Sequence, residues 1–225
     1  MDTTLPQAIL LLSLNDKTGK TEDGYYQPAL AGADIADLLL HRAIEFQAED
    51  GTLVPLRHKR SMGAFLDQCD GVIGAASKAR EITYWISELA NQRDVIATIA
   101  DELCHLGALS KEKTTMFGLF SRTVWPEASP VLESTLKAEM AAAMFEGNDP
   151  IEERLCLAIG LSKSVDLLKH NFDPDLLSQH QARIDSICKG DCLHSDATEA
   201  VVQAVQAAIE AANAAADSVI AGIID

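Results

Sequence analysis

Two cysteines and a histidine near the C-terminal end of the chain come closest, by type and spacing, to a metal site. Cys188 and Cys192 have three residues between them, and His194 follows two positions later. Thiolate and imidazole groups bind zinc, but a structural zinc site needs four ligands, and no second Cys or His pair follows. We therefore interpret these residues as loop thiols beside Gly190 and predict no bound metal.

The sequence contains no arrangement that predicts catalysis. Cys104 and His105 are adjacent, and neighbouring side chains on a helix point about 100° apart, so they do not form a nucleophile–base pair. There is no phosphate-binding loop, no glycine fingerprint of a dinucleotide site and no nucleophile elbow. The many carboxylates are typical of solvated helix faces. We predict that the protein is not an enzyme and uses no cofactor.

Charge and cysteine content restrict the environment and the partners. The formal net charge of −16 repels nucleic acid and anionic lipid, unless a local basic patch overcomes it. Five cysteines, an odd number, and a start without a basic, apolar leader indicate reduced thiols in the cytoplasm. The longest apolar run, 8–14, is too short to cross a bilayer. We expect a cytoplasmic protein with no transmembrane segment, at most peripheral to a membrane, and no nucleic-acid partner.

The hydropathy pattern predicts a mainly α protein that forms a single domain over residues 1–225. Apolar residues make up 48% of the chain but aromatic residues only 5%, which favours packed helices over sheets. The periodicity and capping residues predict one short strand over 52–56, a helix after Asp173-Pro174, and helices over 5–14, 29–46, 61–76, 79–89, 92–106, 131–145, 151–169 and 196–221.

One stretch, 116–126, breaks the helical pattern. Two apolar, β-prone runs, 116–120 and 123–126, flank the polar pair Ser121-Arg122, which predicts an apolar β-hairpin. Its large apolar side chains either close the core or form a contact with a membrane or a second subunit, and both interpretations stay open. These side chains are those of Phe117, Leu119, Phe120 and Trp125.

A helix followed by Gly107 and a hairpin is also similar to the second half of a winged-helix module. Such a module would insert the helix over 92–106 into DNA. This helix carries one arginine, Arg93, and three carboxylates, which is the wrong sign for a recognition helix. Nucleic-acid binding is therefore the least favoured alternative.

Several short motifs occur along the chain in a distinctive order. They are Ile9-Leu10-Leu11-Leu12-Ser13-Leu14-Asn15-Asp16 with Gly19, Leu30-Ala31-Gly32-Ala33 running on to Leu38-Leu39-Leu40, Phe65-Leu66-Asp67, Leu103 with Gly107-Ala108-Leu109, Phe117-Gly118-Leu119-Phe120 with Pro126, Asn148-Asp149-Pro150, Arg154-Leu155 and Ser164-Val165-Asp166-Leu167-Leu168. This set resembles the Golgi phosphoprotein 3 family of phosphoinositide-binding Golgi adaptors, which also has bacterial relatives. The resemblance covers nearly the whole chain.

The resemblance implies a mostly helical domain with an apolar hairpin. It also implies binding of the phosphatidylinositol 4-phosphate head group in a pocket near that hairpin, self-association into a homo-oligomer through the hairpin, and sorting of Golgi glycosyltransferases as an adaptor. The residues that would form the membrane or oligomer contact are Phe117, Leu119, Phe120, Arg122 and Trp125.

The head-group pocket needs cations and an aromatic wall, because a phosphomonoester carries nearly two negative charges. By the resemblance, Arg93 matches one of the two arginines that the family places before the hairpin, whereas the other position is Ile96. The cation that family members place before the glycine of the Leu30-Ala31-Gly32-Ala33 motif is Ala31 here. Tyr25 or Tyr26 stands in for a tryptophan of the family's pocket.

Other features distinguish this chain from the adaptors. Lys111, Lys113 and Arg122 near the hairpin could supply positive charge locally. The basic N-terminal tail of the adaptors is absent, which suggests a bacterial relative. The alternative to a lipid-binding adaptor is a protein–protein interaction module that uses the same hairpin and has lost lipid binding.

Overall fold

The computed structural model of the protein describes residues 3–21, 26–57, 60–92, 94–116, 120–147, 151–191 and 205, without the side chains of residues 26, 115, 116 and 120. These residues form a mainly α fold, as predicted. The helices are α1 (Leu5–Ser13), α2 (Tyr26–Leu40), α3 (Ala64–Gly74), α4 (Ile82–Ala90), α5 (Val95–His105), α6 (Val131–Ala141), α7 (Glu153–Ser164), α8 (Leu167–Asn171), α9 (Pro174–Gln179) and α10 (Gln181–Lys189).

Helix α1 lies at the centre of the core. All of its residues are buried, because it packs against α2, α5 and α7 on different sides. A helix that is apolar all round is stable only in such a place. Its first turn is closed by a capping box, in which the Thr4 hydroxyl accepts the Gln7 N–H and the Gln7 side chain accepts the Thr4 N–H.

A small antiparallel sheet follows α2, with strand order β1-β2-β3. Its strands are β1 (Ile44–Gln47), β2 (Thr52–Pro55) and β3 (Arg80–Glu81). The predicted strand over 52–56 is confirmed, but the predicted helix over 29–46 is wrong beyond Leu40. A turn that holds Arg42 in the left-handed region ends the helix, and a short apolar run such as 43–46 fits either period.

The predicted hairpin is present, but its strands are shifted from the predicted ones. They are β4 (Glu112–Met116) and β5 (Phe120–Val124), and Thr114 pairs with Arg122 inside the ladder. The prediction of a turn at Ser121-Arg122 is therefore wrong. β-Branched threonines suit a strand with one solvated face, and their polar character resembles a turn in the sequence.

The C-terminal half follows the predicted helices with two corrections. Helix α6 ends in a π-helical turn, Ala142–Glu146, and the predicted helix over 151–169 is interrupted at Val165-Asp166, where Asp166 has a φ of 60°. The predicted start at Asp173-Pro174 is confirmed, because the Asp173 carboxylate accepts two N–H groups of α9. The predicted helix over 196–221 lies outside the described residues apart from residue 205, which is helical.

Candidate functional site

A pocket with a volume of about 520 Å³ opens where four parts of the chain meet. These parts are the loop after α1, the first turns of α2 and α5, and the base of the β4–β5 hairpin. The lining residues are Leu14, Gly19, Thr21, Gln27, Gln92, Asp94, Val95, Ile96, Ala97, Lys111, Arg122, Thr123 and Trp125. Neutral hydrogen-bonding side chains, two cations and one aromatic ring therefore share one cavity.

Backbone contacts fix the loop after α1 against the end of β5. The Trp125 N–H donates to the Gly19 carbonyl at 3.0 Å, and the Glu127 N–H donates to the Asp16 carbonyl at 2.9 Å. Gly19 has a φ of +59°, and a Cβ there would lie 2.1 Å from the nitrogen of Pro126. Only glycine permits this approach, so Gly19 joins two walls of the pocket.

The N-terminus of α5 forms another wall. Val95, Ile96 and Ala97 line the pocket, and the N–H groups of a first helical turn have no acceptor within the helix. Asp94 occupies the N-cap position in a left-handed conformation, and its side chain makes no capping hydrogen bond. This end of the helix carries partial positive charge, which favours an anion.

The residues around the pocket carry more positive charge than the rest of the chain does on average. Arg122 is exposed and has no ion-pair partner among the described residues. Lys111 is held by Asp101, with 2.8 Å between Nζ and Oδ2. Against these two cations, Asp94 is the one carboxylate among the lining residues. The described charges at the pocket therefore balance when Asp101 is counted, in a chain with a net charge of −16.

Trp125 supplies the aromatic wall of the pocket. Its ring is half-buried, and the indole N–H is buried with no acceptor within the described part of the chain. An indole N–H usually finds a partner when it is buried.

A family model described as Golgi phosphoprotein 3 (GPP34) matches residues 5–212, which include the pocket and the hairpin. The chain belongs to the Golgi phosphoprotein 3 family. The resemblance in the short motifs is thereby confirmed. No curated protein matches the chain at a significant level. Membership supports an adaptor of the Golgi phosphoprotein 3 type, and the family is one of adaptors rather than enzymes.

The head-group residues implied by the family lie within two positions in sequence of residues that line this pocket. Arg93 is outside the described residues, but both of its neighbours, Gln92 and Asp94, line the pocket. Tyr25 is also outside them, and Tyr26 opens α2 with no described side chain. Of the two positions where the family's cations are missing, Ile96 lines the pocket and Ala31 is buried in the core.

The predicted hairpin contacts separate into two groups. Phe117 and Leu119 lie outside the described residues, and Phe120 begins β5 without a described side chain. Arg122 and Trp125 line the pocket, and their part in a membrane or oligomer contact stays a prediction. The role of Tyr25 or Tyr26 as the aromatic wall stays a prediction.

Sequence reasoning missed the neutral polar residues of the pocket. Thr21, Gln27, Gln92 and Thr123 come from four separate parts of the chain. None of them belongs to a periodic pattern or a motif, so only the fold brings them together.

Cys188 and His105, two of the residues considered for metal binding or catalysis, have contacts within the fold. Burial in α10 raises the pKa of the Cys188 thiol to about 11, and Cys192 and His194 lie outside the described residues. The Nδ1 of His105 lies 2.7 Å from the Asp101 carbonyl oxygen. No three His, Cys, Asp or Glu residues in the described ranges are grouped to hold a metal ion. None of the described helices is long and apolar enough to cross a membrane.

Proposed function

We propose that the protein is a cytoplasmic adaptor, peripheral to a membrane, that binds the phosphatidylinositol 4-phosphate head group in this pocket. The observation that carries the proposal is the joint position of Arg122, Trp125 and the first turn of α5 around one cavity. The family places its head-group site in the same region, near the hairpin and Arg93.

The chemistry of the lining suits a phosphorylated inositol. The Arg122 guanidinium can donate two parallel hydrogen bonds to a phosphate. The N–H groups at the start of α5 add partial positive charge, which also favours a phosphate. Arg93, next to Gln92 and Asp94, would supply a second guanidinium. Gln27 and Gln92 offer donors and acceptors for ring hydroxyls.

The direct test is flotation with vesicles that contain phosphatidylinositol 4-phosphate or, as the matched control, phosphatidylinositol. We expect the protein to float with the first and not with the second at low salt, and to be released as salt is added. Arg122→Gln should weaken binding about tenfold, which is about 1.4 kcal/mol. Arg93→Ala should have a similar effect.

Lys78→Gln is the control for charge, because it removes one exposed cation outside the pocket. Binding that drops equally for Lys78→Gln and Arg122→Gln would reflect only the net charge. No binding to any vesicle at low salt would exclude the lipid proposal. It would leave the alternative of a protein–protein interaction module. Ile96 and Ala31 favour this alternative, because they are apolar residues at positions where the family has cations.

Self-association through the hairpin is the second part of the proposal. Strands β4 and β5 form a two-stranded sheet with no third strand among the described residues. Such a sheet has unpaired N–H and C=O groups along its edges, which can pair with another copy. The double substitution Phe117→Ser and Leu119→Ser should lower the oligomer mass in light scattering. A folded double variant with unchanged mass would exclude these residues from the contact.

A further inference from the structure

Arg42 occupies a backbone conformation that an arginine rarely adopts. Its φ is 54°, and it follows α2 in a turn where its N–H donates to the Leu39 carbonyl and the Ala43 N–H donates to the Leu38 carbonyl. Glycine or asparagine is the usual residue at such a helix end. The other described non-glycine residues with positive φ are aspartates, which tolerate it better. The fold alone does not favour an arginine here.

A second arginine, Arg57, follows the strand that pairs with β1. The β1–β2 register ends at Ile44 and Pro55, and the Leu56 N–H continues it by donating to the Ala43 carbonyl at 2.7 Å. Arg42 directly precedes Ala43, and Arg57 directly follows Leu56. Both are exposed, and neither has an ion-pair partner among the described residues. Like charges at one end of a strand pair repel.

Leu56, which precedes Arg57, is an exposed apolar residue at the same end of the strand pair. Its side chain is 38% exposed, although it is a large aliphatic residue next to a strand. We call Arg42, Leu56 and Arg57 the arginine patch. A cation at the C-terminus of α2 interacts favourably with the helix dipole. That effect explains neither Arg57 nor the exposed Leu56, and it does not require the left-handed position.

We propose that the arginine patch binds an acidic segment of a partner protein that also carries an apolar residue. Two guanidinium groups can each form paired hydrogen bonds with a carboxylate, and Leu56 offers the apolar contact. Charge complementarity favours this partner over a bilayer. Membrane anchoring by charge uses clusters of about four to eight cations, whereas two arginines match the carboxylates of a short peptide segment.

The arginine patch and the pocket lie at opposite ends of α2. Gln27 in the first turn lines the pocket, and Leu40 in the last turn precedes Arg42. At 1.5 Å per residue, these ends are about 20 Å apart. A partner on the patch therefore leaves the pocket open, as an adaptor requires. The proposal stands independently of what the pocket binds.

The test is fluorescence anisotropy with a labelled peptide of the repeating sequence Glu-Glu-Leu. A peptide in which glutamine replaces every glutamate is the matched control. We expect the glutamate peptide to bind at least about tenfold more tightly than the glutamine peptide. Arg42→Gly and Arg57→Gln should each weaken binding about tenfold. Lys17→Gln, which removes an exposed cation from the loop after α1, should leave the affinity unchanged.

Arg42→Gly separates binding from folding, because glycine suits the observed φ. Its thermal midpoint should equal or exceed that of the wild type, and its binding to phosphatidylinositol 4-phosphate vesicles should be unchanged. A lower midpoint would mean that Arg42 serves the fold, and equal affinity for both peptides would mean that the patch does not recognise carboxylates. Either result overturns the proposal. So does patch-dependent binding to phosphatidylserine vesicles without peptide binding.

Discussion

Arg154 on α7 donates its Nε–H to Oδ1 of Asp37 on α2 at 3.0 Å, and Oδ2 of the same carboxylate accepts the Leu5 N–H at 2.6 Å. Asp37 is completely buried, whereas Arg154 is partly exposed. Burial raises the pKa of Asp37, and the guanidinium of Arg154 opposes that rise. One carboxylate on α2 therefore joins this helix to both α1 and α7.

Arg154→Met should destabilise the protein by about 3–5 kcal/mol near neutral pH, because it leaves a buried carboxylate without its counter-charge. The variant should raise the pKa of Asp37 further. A raised carboxyl pKa makes the folded state bind the proton more tightly than the unfolded state, so the cost should shrink as pH falls. Denaturant unfolding at two pH values measures both effects.

The control for Arg154 is Lys169→Met, which breaks an exposed ion pair with Asp166. It should cost less than about 1 kcal/mol, because exposed pairs are well solvated. Similar losses for the two variants would show that the buried pair has no special weight.

Asp34 should make the protein less stable as pH rises. It is buried on α2, its Oδ2 accepts the Cys69 thiol at 3.5 Å, and its Oδ1 has no partner among the described residues. Burial raises its pKa well above the ordinary value of about 4. Between these two pKa values the folded state keeps a proton that the unfolded state loses, so stability falls with rising pH.

Asp34→Asn removes this titration and keeps the shape of the side chain. Thermal midpoints from pH 5 to pH 8 should fall less for Asp34→Asn than for the wild type. Glu49→Gln, which removes an exposed carboxylate, should keep the wild-type slope. An unchanged slope in Asp34→Asn would assign the pH dependence to other groups.

Asp101→Asn should strengthen binding of a phosphorylated head group. The Asp101 carboxylate holds Lys111 at 2.8 Å, and Lys111 lines the pocket. Without that negative charge, Lys111 is free to interact with a phosphate, and we expect an affinity gain of about threefold to tenfold. Vesicle titration measures it, with Glu88→Gln as the control for net charge. A weaker affinity would mean that the ion pair itself positions the pocket.

The sequence predicted elements whose ends have local causes. The capping carboxylate Asp173 begins α9, and Gly107 ends α5 with a φ of +76°, both as expected. Strand β1 and the shift of the hairpin escaped prediction, because pairing with a distant strand decides between helix and strand for such short runs.

In the candidate site, too, the sequence predicted the local motifs but not the contacts between distant residues. Family motifs pointed to Arg93 and the hairpin, but not to the polar contacts behind them. Glu102 is one of the carboxylates on the predicted helix over 92–106, and its two oxygens accept the Phe65 N–H and the Gln7 side-chain amide, both at 3.0 Å. These partners lie 37 and 95 positions away. No local pattern encodes such contacts.

Gly19→Ala should disrupt the pocket far more than its backbone strain alone predicts. Gly51 is a matched control, because it also has a positive φ, +69° against +59°, but a Cβ there would have nothing within 4 Å. Gly51→Ala should therefore cost about 1 kcal/mol from strain. At Gly19 the new Cβ would meet the backbone of Trp125 and Pro126 within 2.1–2.4 Å, so the loop must move. Gly19→Ala should cost at least about twice as much and weaken head-group binding, and equal costs in denaturant unfolding would contradict the close approach.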